Sequence, residues 1–165
     1  MTPSGNPSIQ AEHKYRTWII RPLTWFLKRQ ARGKNRDQDL ESWQKILEEE
    51  SVRSGVDGYR TANARQIVAM HLEEMGRYVE SLPLRQTQFD LLKEHKGPMH
   101  ADTLAAEMWL SLALMGVGED RRGRSLMIEV RDLYLSKEGE VSKGAASANW
   151  FIDEFNQRIE ESPDE

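Results

Sequence analysis

The stretch Val68-Ala69-Met70-His71-Leu72-Glu73-Glu74-Met75-Gly76 returns 42 residues later as Leu110-Ser111-Leu112-Ala113-Leu114-Met115-Gly116-Val117-Gly118. The apolar residues Val68, Met70 and Leu72 map to Leu110, Leu112 and Leu114, and Gly76 maps to Gly118. The same offset carries Gly55 to Gly97 and on to Gly139. It pairs Leu84 with Leu126, Leu91 with Leu133, Thr61 with Thr103, Ala106 with Ala148 and Trp109 with Phe151. Ser81 maps to Gly123, so a small residue is kept. A fixed period of this size, holding two helices, is the mark of a helical solenoid. One helical pair cannot bury its apolar face alone, whereas stacked pairs can.

Outward from that stretch, apolar residues keep spacings of three and four, and no alternating strand pattern appears. The spacing predicts seven helices, over roughly 10–31, 36–53, 60–75, 78–95, 102–116, 120–137 and 143–160. Their connections are short, which makes neighbouring helices antiparallel. The expected fold is therefore all-α: an α-solenoid of about three antiparallel helical hairpins plus a terminal helix. Residues 1–9 read as a disordered lead-in, 10–58 as a basic aromatic helix with a degenerate first repeat, 59–161 as the repeats, and 162–165 as an acidic tail.

Gly76-Arg77-Tyr78-Val79-Glu80-Ser81 resembles the turn and second-helix start of a tetratricopeptide repeat, where the pattern is Gly-x-Tyr-x-x-small. Gly97-Pro98-Met99-His100-Ala101-Asp102-Thr103-Leu104 resembles the inter-repeat loop of the 42-residue kinesin-light-chain-like variety, with Ala101 in place of a proline. The second copy, Gly118-Glu119-Asp120, lacks the tyrosine. HEAT-like and armadillo-like repeats have similar periods but lack the Gly-Arg-Tyr turn. The resemblance covers residues 60–160 and is strongest over 66–115. It implies a non-catalytic scaffold or adaptor that binds a partner protein or peptide in the concave face of the array.

By that resemblance the first helix of each pair lines the groove. The candidate partner-binding residues are Asn63, Gln66, Met70 and Glu73, then Met108, Leu112 and Met115, then Trp150 and Glu154. An asparagine recurs in the family where this chain has Gln66, Met108 and Trp150, so peptide-backbone recognition by those asparagines does not carry over. Met and Trp here suit adaptable contact with protein. The family's loop histidine corresponds to His100, in a structural role. Asp102 or Thr103 is the expected cap of the following helix. The terminal helix 143–160 offers a homodimer contact, since Trp150, Phe151 and Phe155 otherwise risk exposure.

Chemistry finds little support in the sequence. There is no cysteine, which excludes disulfides, thiol catalysis and Cys-ligated metal. No nucleophile-elbow or zinc-protease signature occurs. Gly118-Glu119-Asp120-Arg121-Arg122-Gly123-Arg124-Ser125 superficially fits a phosphate loop, but a helix precedes it and Arg stands for the Lys. His71 and Glu74 lie one turn apart, short of the three convergent ligands a catalytic metal needs. The expectation is no enzyme activity, no cofactor and no metal.

The net charge of −4 hides an asymmetry. Residues 1–36 carry eight Lys/Arg and one acid, while 37–165 carry 15 Lys/Arg against 26 Asp/Glu. An acidic body repels nucleic-acid phosphates, which makes nucleic acid an unlikely partner. The arm interleaves Trp18, Arg21, Trp25, Phe26, Lys28 and Arg29, a pattern that suits either a membrane surface or a partner. The alternative function is therefore a peripheral membrane adaptor attached through residues 13–34. The competing expectation is a cap, with the aromatics lying on helix 36–53 and the basic residues facing Glu48, Glu49 and Glu50. Trp18–Leu27 is too short and interrupted to cross a bilayer, which needs about 20 apolar residues, and it is a poor signal-peptide core. The expected location is cytoplasmic, with membrane association through the arm as the variant.

Overall fold

The computed structural model describes residues 36–161 as six α-helices. These are α1 (Arg36–Ser54), α2 (Tyr59–Glu74), α3 (Tyr78–Lys96), α4 (Ala101–Gly116), α5 (Asp120–Glu138) and α6 (Lys143–Glu161). Each boundary falls within one residue of its sequence expectation. The lead-in 1–9, the helix expected over 10–31, the arm residues Trp18, Arg21, Trp25, Phe26, Lys28 and Arg29, and the acidic tail lie outside the described residues. Among the described residues no helix is long and apolar enough to cross a membrane.

The helix starts repeat in register. α1, α3 and α5 begin at residues 36, 78 and 120, and α2, α4 and α6 begin at 59, 101 and 143. Each helix packs chiefly on the one before and the one after it in the chain. Among the described residues the glycines with positive φ are Gly55, Gly76, Gly97, Gly118 and Gly139, one every 21 residues. At Gly76 the reason is explicit: Gly76 N–H donates to Glu73 O and Arg77 N–H to Leu72 O, a left-handed closure of the helix end. No atom crowds the position a Cβ would take there, so φ = 73° alone demands glycine.

The helix starts are satisfied differently from the expectation. Residue 100, not Asp102 or Thr103, caps α4: His100 Nδ1 accepts from Asp102 N–H at 3.1 Å. Thr103 is wholly buried, and its hydroxyl donates to Leu92 O on α3. One period on, Ser142 Oγ accepts from Ala145 N–H at the start of α6.

The core is a row of three clusters. Leu40, Val68 and Leu72 join α1 to α2; Phe89, Ala106, Leu110 and Leu114 join α3 to α4; Met127, Val130, Ala148, Ile152 and Phe155 join α5 to α6. Register positions repeat within them. Ala64, Ala106 and Ala148 are all buried, as are Val68, Leu110 and Ile152. Phe155, expected to risk exposure, is fully buried. Its ring lies over Gly123, where an added Cβ would stand 2.7 Å from Phe155 and 2.9 Å from Ser111 O. Ser111 Oγ also donates to Gly123 O at 2.7 Å. The absent side chain lets α5 sit close to α4 and α6 at once.

This fixes the sign of a substitution. Gly→Ala inside a helix ordinarily gains about 1 kcal/mol. Gly123→Ala is expected to lose about 1–3 kcal/mol instead, from overpacking against Phe155. Equilibrium urea unfolding measures it, and a neutral or stabilised variant contradicts the close approach.

Candidate functional site

The groove candidates sit on α2, α4 and α6, each separated from the next by an intervening 19-residue helix. Asn63 and Gln66 are exposed on α2, and Met70 is half-buried. On α4, Met108, Leu112 and Met115 are half-buried and pack together against the third core cluster. On α6, Trp150 is 56% exposed and Glu154 half-buried. The Trp150 ring meets Phe151 edge-on at 4.8 Å. Gln66, Met108 and Trp150 occupy one register position, and none of the three is buried. Met70, Leu112 and Glu154 occupy the next such position, one helical turn on.

Glu73 is committed internally. Arg85 Nε and Nη2 donate to its two carboxylate oxygens at 2.7 and 2.6 Å. The side chains are only 12% and 5% exposed, which makes this a buried, bidentate pair between α2 and α3. The Arg85 guanidinium also stands 5.1 Å from the Trp109 ring centre on α4. Three consecutive helices are thus tied through one arginine.

Several buried charges escaped the sequence reading. Arg65 on α2 is 4% exposed; it donates to Gln88 Oε1 and Val56 O, and burial lowers its pKa. Glu107, at the same register position on α4, is also 4% exposed. Burial pushes its carboxyl up to about 7; the Glu129 carboxylate adds to the rise and Lys93 opposes it. Their sequence neighbourhood offered a signal, since a charge stood at 65 and at 107 between positions that repeat as apolar. An amphipathic face read residue by residue assigns such charges to solvent.

His71 and Glu74 are both buried, with Nδ1 and Oε2 3.8 Å apart. Among the described residues no three His, Asp or Glu side chains converge as a metal site would require. The phosphate-loop-like stretch is a helix turn at Gly118 followed by the first turns of α5. Arg122 pairs with Glu119, and Arg124 donates to Asn156 on α6. Exposed Val52, Val56, Tyr59, Val79 and Val141 are scattered over helix ends and loops.

No protein-family model matches the chain, and no curated protein matches it. What stands is an all-α array of helices packed in sequence order, with a 42-residue register.

Two outcomes follow from the buried charges. At the register positions of Glu73 and Arg85, the next pair of helices carries Met115 and Met127. Replacing both, Glu73→Met with Arg85→Met, is expected to change stability by no more than about 1–2 kcal/mol. Either single change strands a buried charge and costs about 3–5 kcal/mol; a urea double-mutant cycle reads the difference. For Glu107, the folded carboxyl titrates above the unfolded one, so the folded state holds the extra proton between the two values. Stability therefore falls as pH rises from about 4.5 to about 7, then levels. Glu107→Gln removes that fall, and its advantage at pH 8 over pH 5 is about 1–2 kcal/mol after allowance for solvent screening. Thermal melts at the two pH values check it.

Proposed function

We propose that this chain is a non-catalytic interaction scaffold of tetratricopeptide-like helical repeats, and that it takes a partner protein or peptide along α2, α4 and α6. The observation that carries this reading is the recurrence of one register position outside the buried core, the exposed Gln66 and Trp150 and the half-buried Met108, beside the half-buried Met70, Leu112 and Met115. The side chains of Gln66, Met108 and Trp150 are not drawn into the ion pair that occupies Glu73, whose carboxylate belongs to Arg85. A row of thioether, amide and indole groups over an apolar floor favours a partner that brings apolar side chains and a few hydrogen bonds. Glu73 takes no part in the contact on this reading; it holds α2 to α3.

Alanine at Gln66, Met108 and Trp150 together is the test. Truncating the exposed Gln66 and Trp150 shifts stability by about 1 kcal/mol or less, and truncating the half-buried Met108 costs about 2 kcal/mol more, so circular dichroism first establishes that the variant is folded. Capture of a partner from the native host should drop at least tenfold, an energy of about 1.4 kcal/mol or more spread over three contacts. Undiminished capture by the folded triple variant defeats the reading.

A further inference from the structure

α4 differs from α2 and α6 in what it offers to solvent. Beyond Asp102, no residue of α4 that reaches solvent carries a polar side chain: these are Ala105, Met108, Trp109, Leu112, Met115 and Gly116. Its remaining polar residues, Thr103, Glu107 and Ser111, are all buried. Thr103 and Ser111 spend their hydroxyls on Leu92 O and Gly123 O. Trp109 is 40% exposed even with Arg85 over its ring. The flanking helices are polar at the equivalent positions. Asn63 and Ser147 stand where α4 has Ala105, Gln66 where it has Met108, and Glu154 where it has Leu112. A helix that is apolar on its open face as well as on its packed faces is one that another element covers.

α6 lies directly beside this face. Arg158 Nη2 donates to Met115 O at 3.2 Å, and Met108 and Leu112 pack against the cluster that holds Ala148, Ile152 and Phe155. The two helices therefore finish at one edge, and that edge is anionic. The last turn of α4 has no basic residue, and α6 closes on the exposed Glu160 and Glu161, two turns beyond Glu154. Arg158, the one basic residue in the last turn of α6, is already bonded to Asp120. The terminal carbonyls of both helices add their partial negative charge.

Resting on the groove reading, we propose that the α4 face takes an amphipathic α-helix of the partner. That helix is about four turns long, matching α4. Its apolar stripe lies along α4, and it carries Lys or Arg where it reaches Glu154 and Glu161. Two arguments choose this occupant. A peptide bound in extended form needs partners for its own N–H and C=O groups. Among the described residues, the open face of α4 beyond Asp102 offers no side chain that could bond them, whereas a helix satisfies its backbone internally. Charge decides the rest, since the shared edge of α4 and α6 holds carboxylates in excess of cations and so favours a basic occupant over an acidic one.

Two peptides of about 16 residues serve as probes, both with leucine at i, i+3, i+4 and i+7 spacing. One carries lysine on its other face and the second carries glutamate. A third is the lysine peptide with proline at two central positions, which breaks the helix. Each is fluorescein-labelled and titrated with the full chain, with anisotropy as the readout. The lysine peptide is expected to bind at least tenfold more tightly than either other peptide and to gain helical circular dichroism on binding. Ala105→Gln places a long amide on the exposed face, away from the core. It is expected to weaken binding at least tenfold with helix content unchanged, and Glu154→Gln to narrow the preference for lysine over glutamate. Equal binding by the proline peptide overturns the proposal in favour of an extended occupant. Equal binding by the glutamate peptide, no binding by any of the three, or binding that Ala105→Gln leaves unchanged overturns it outright. Self-association of the parent chain in light scattering, abolished by Ala105→Gln, overturns it in favour of a second copy. A host partner lost by the triple variant at Gln66, Met108 and Trp150 but kept by Ala105→Gln leaves the groove reading standing and overturns this one.

Discussion

The positive-φ glycine that recurs every 21 residues is the constraint on which the rest of the array depends. It ends each helix at a set length, so side chains on α1, α3 and α5 return to the same azimuth, as do those on α2, α4 and α6. A one-residue change in any helix would rotate every later packing face by about 100°. The three core clusters line up because that rotation never accumulates.

Within the frame the chain fills equivalent positions with different chemistry. Glu73 and Arg85 form a buried ion pair where Met115 and Met127 supply apolar contact. At the close approach beside α5, Gly123 accommodates the ring of Phe155; one period earlier, the same two positions hold Ser81 and Ala113. Large with nothing and small with small fill comparable space. At the hairpin ends, Arg158 reaches Asp120 while Gly116 lies under the Tyr78 ring, again one geometry with two solutions. The repeat keeps its shape while several equivalent interior positions change residue type, so the glycines, threonines and alanines carry the register and the charged positions do not.

That contrast sets what the sequence could disclose. Glycine spacing and apolar periodicity placed all six described helices, because helix ends and packing stripes are local properties written in a few residue types. The cap of α4 was misassigned to Asp102 or Thr103 because cap preference favours oxygen side chains, whereas the observed acceptor is the His100 ring nitrogen. The burial of Arg65, Arg85 and Glu107 was illegible, since it depends on partners from neighbouring helices and on which side of the helix the next hairpin lies. The groove candidates were placed by resemblance; the coordinates add that Glu73 is occupied by Arg85 and that the α4 methionines share the packing of the third cluster.

Contacts that run almost wholly between successive helices have a kinetic meaning as well. Such a chain closes few long loops on the way to its native state, so folding is governed by local encounters and is expected in the fast, low-contact-order regime. Its cooperativity is then that of a short one-dimensional lattice, in which each helix is held by its two neighbours and an end helix by one. Arg85, which touches α2 and α4 from α3, acts in that lattice as a coupling between adjacent sites and not as a local anchor. It extends the length over which the array melts as a unit, and it lets a load applied at one helix be felt two helices away.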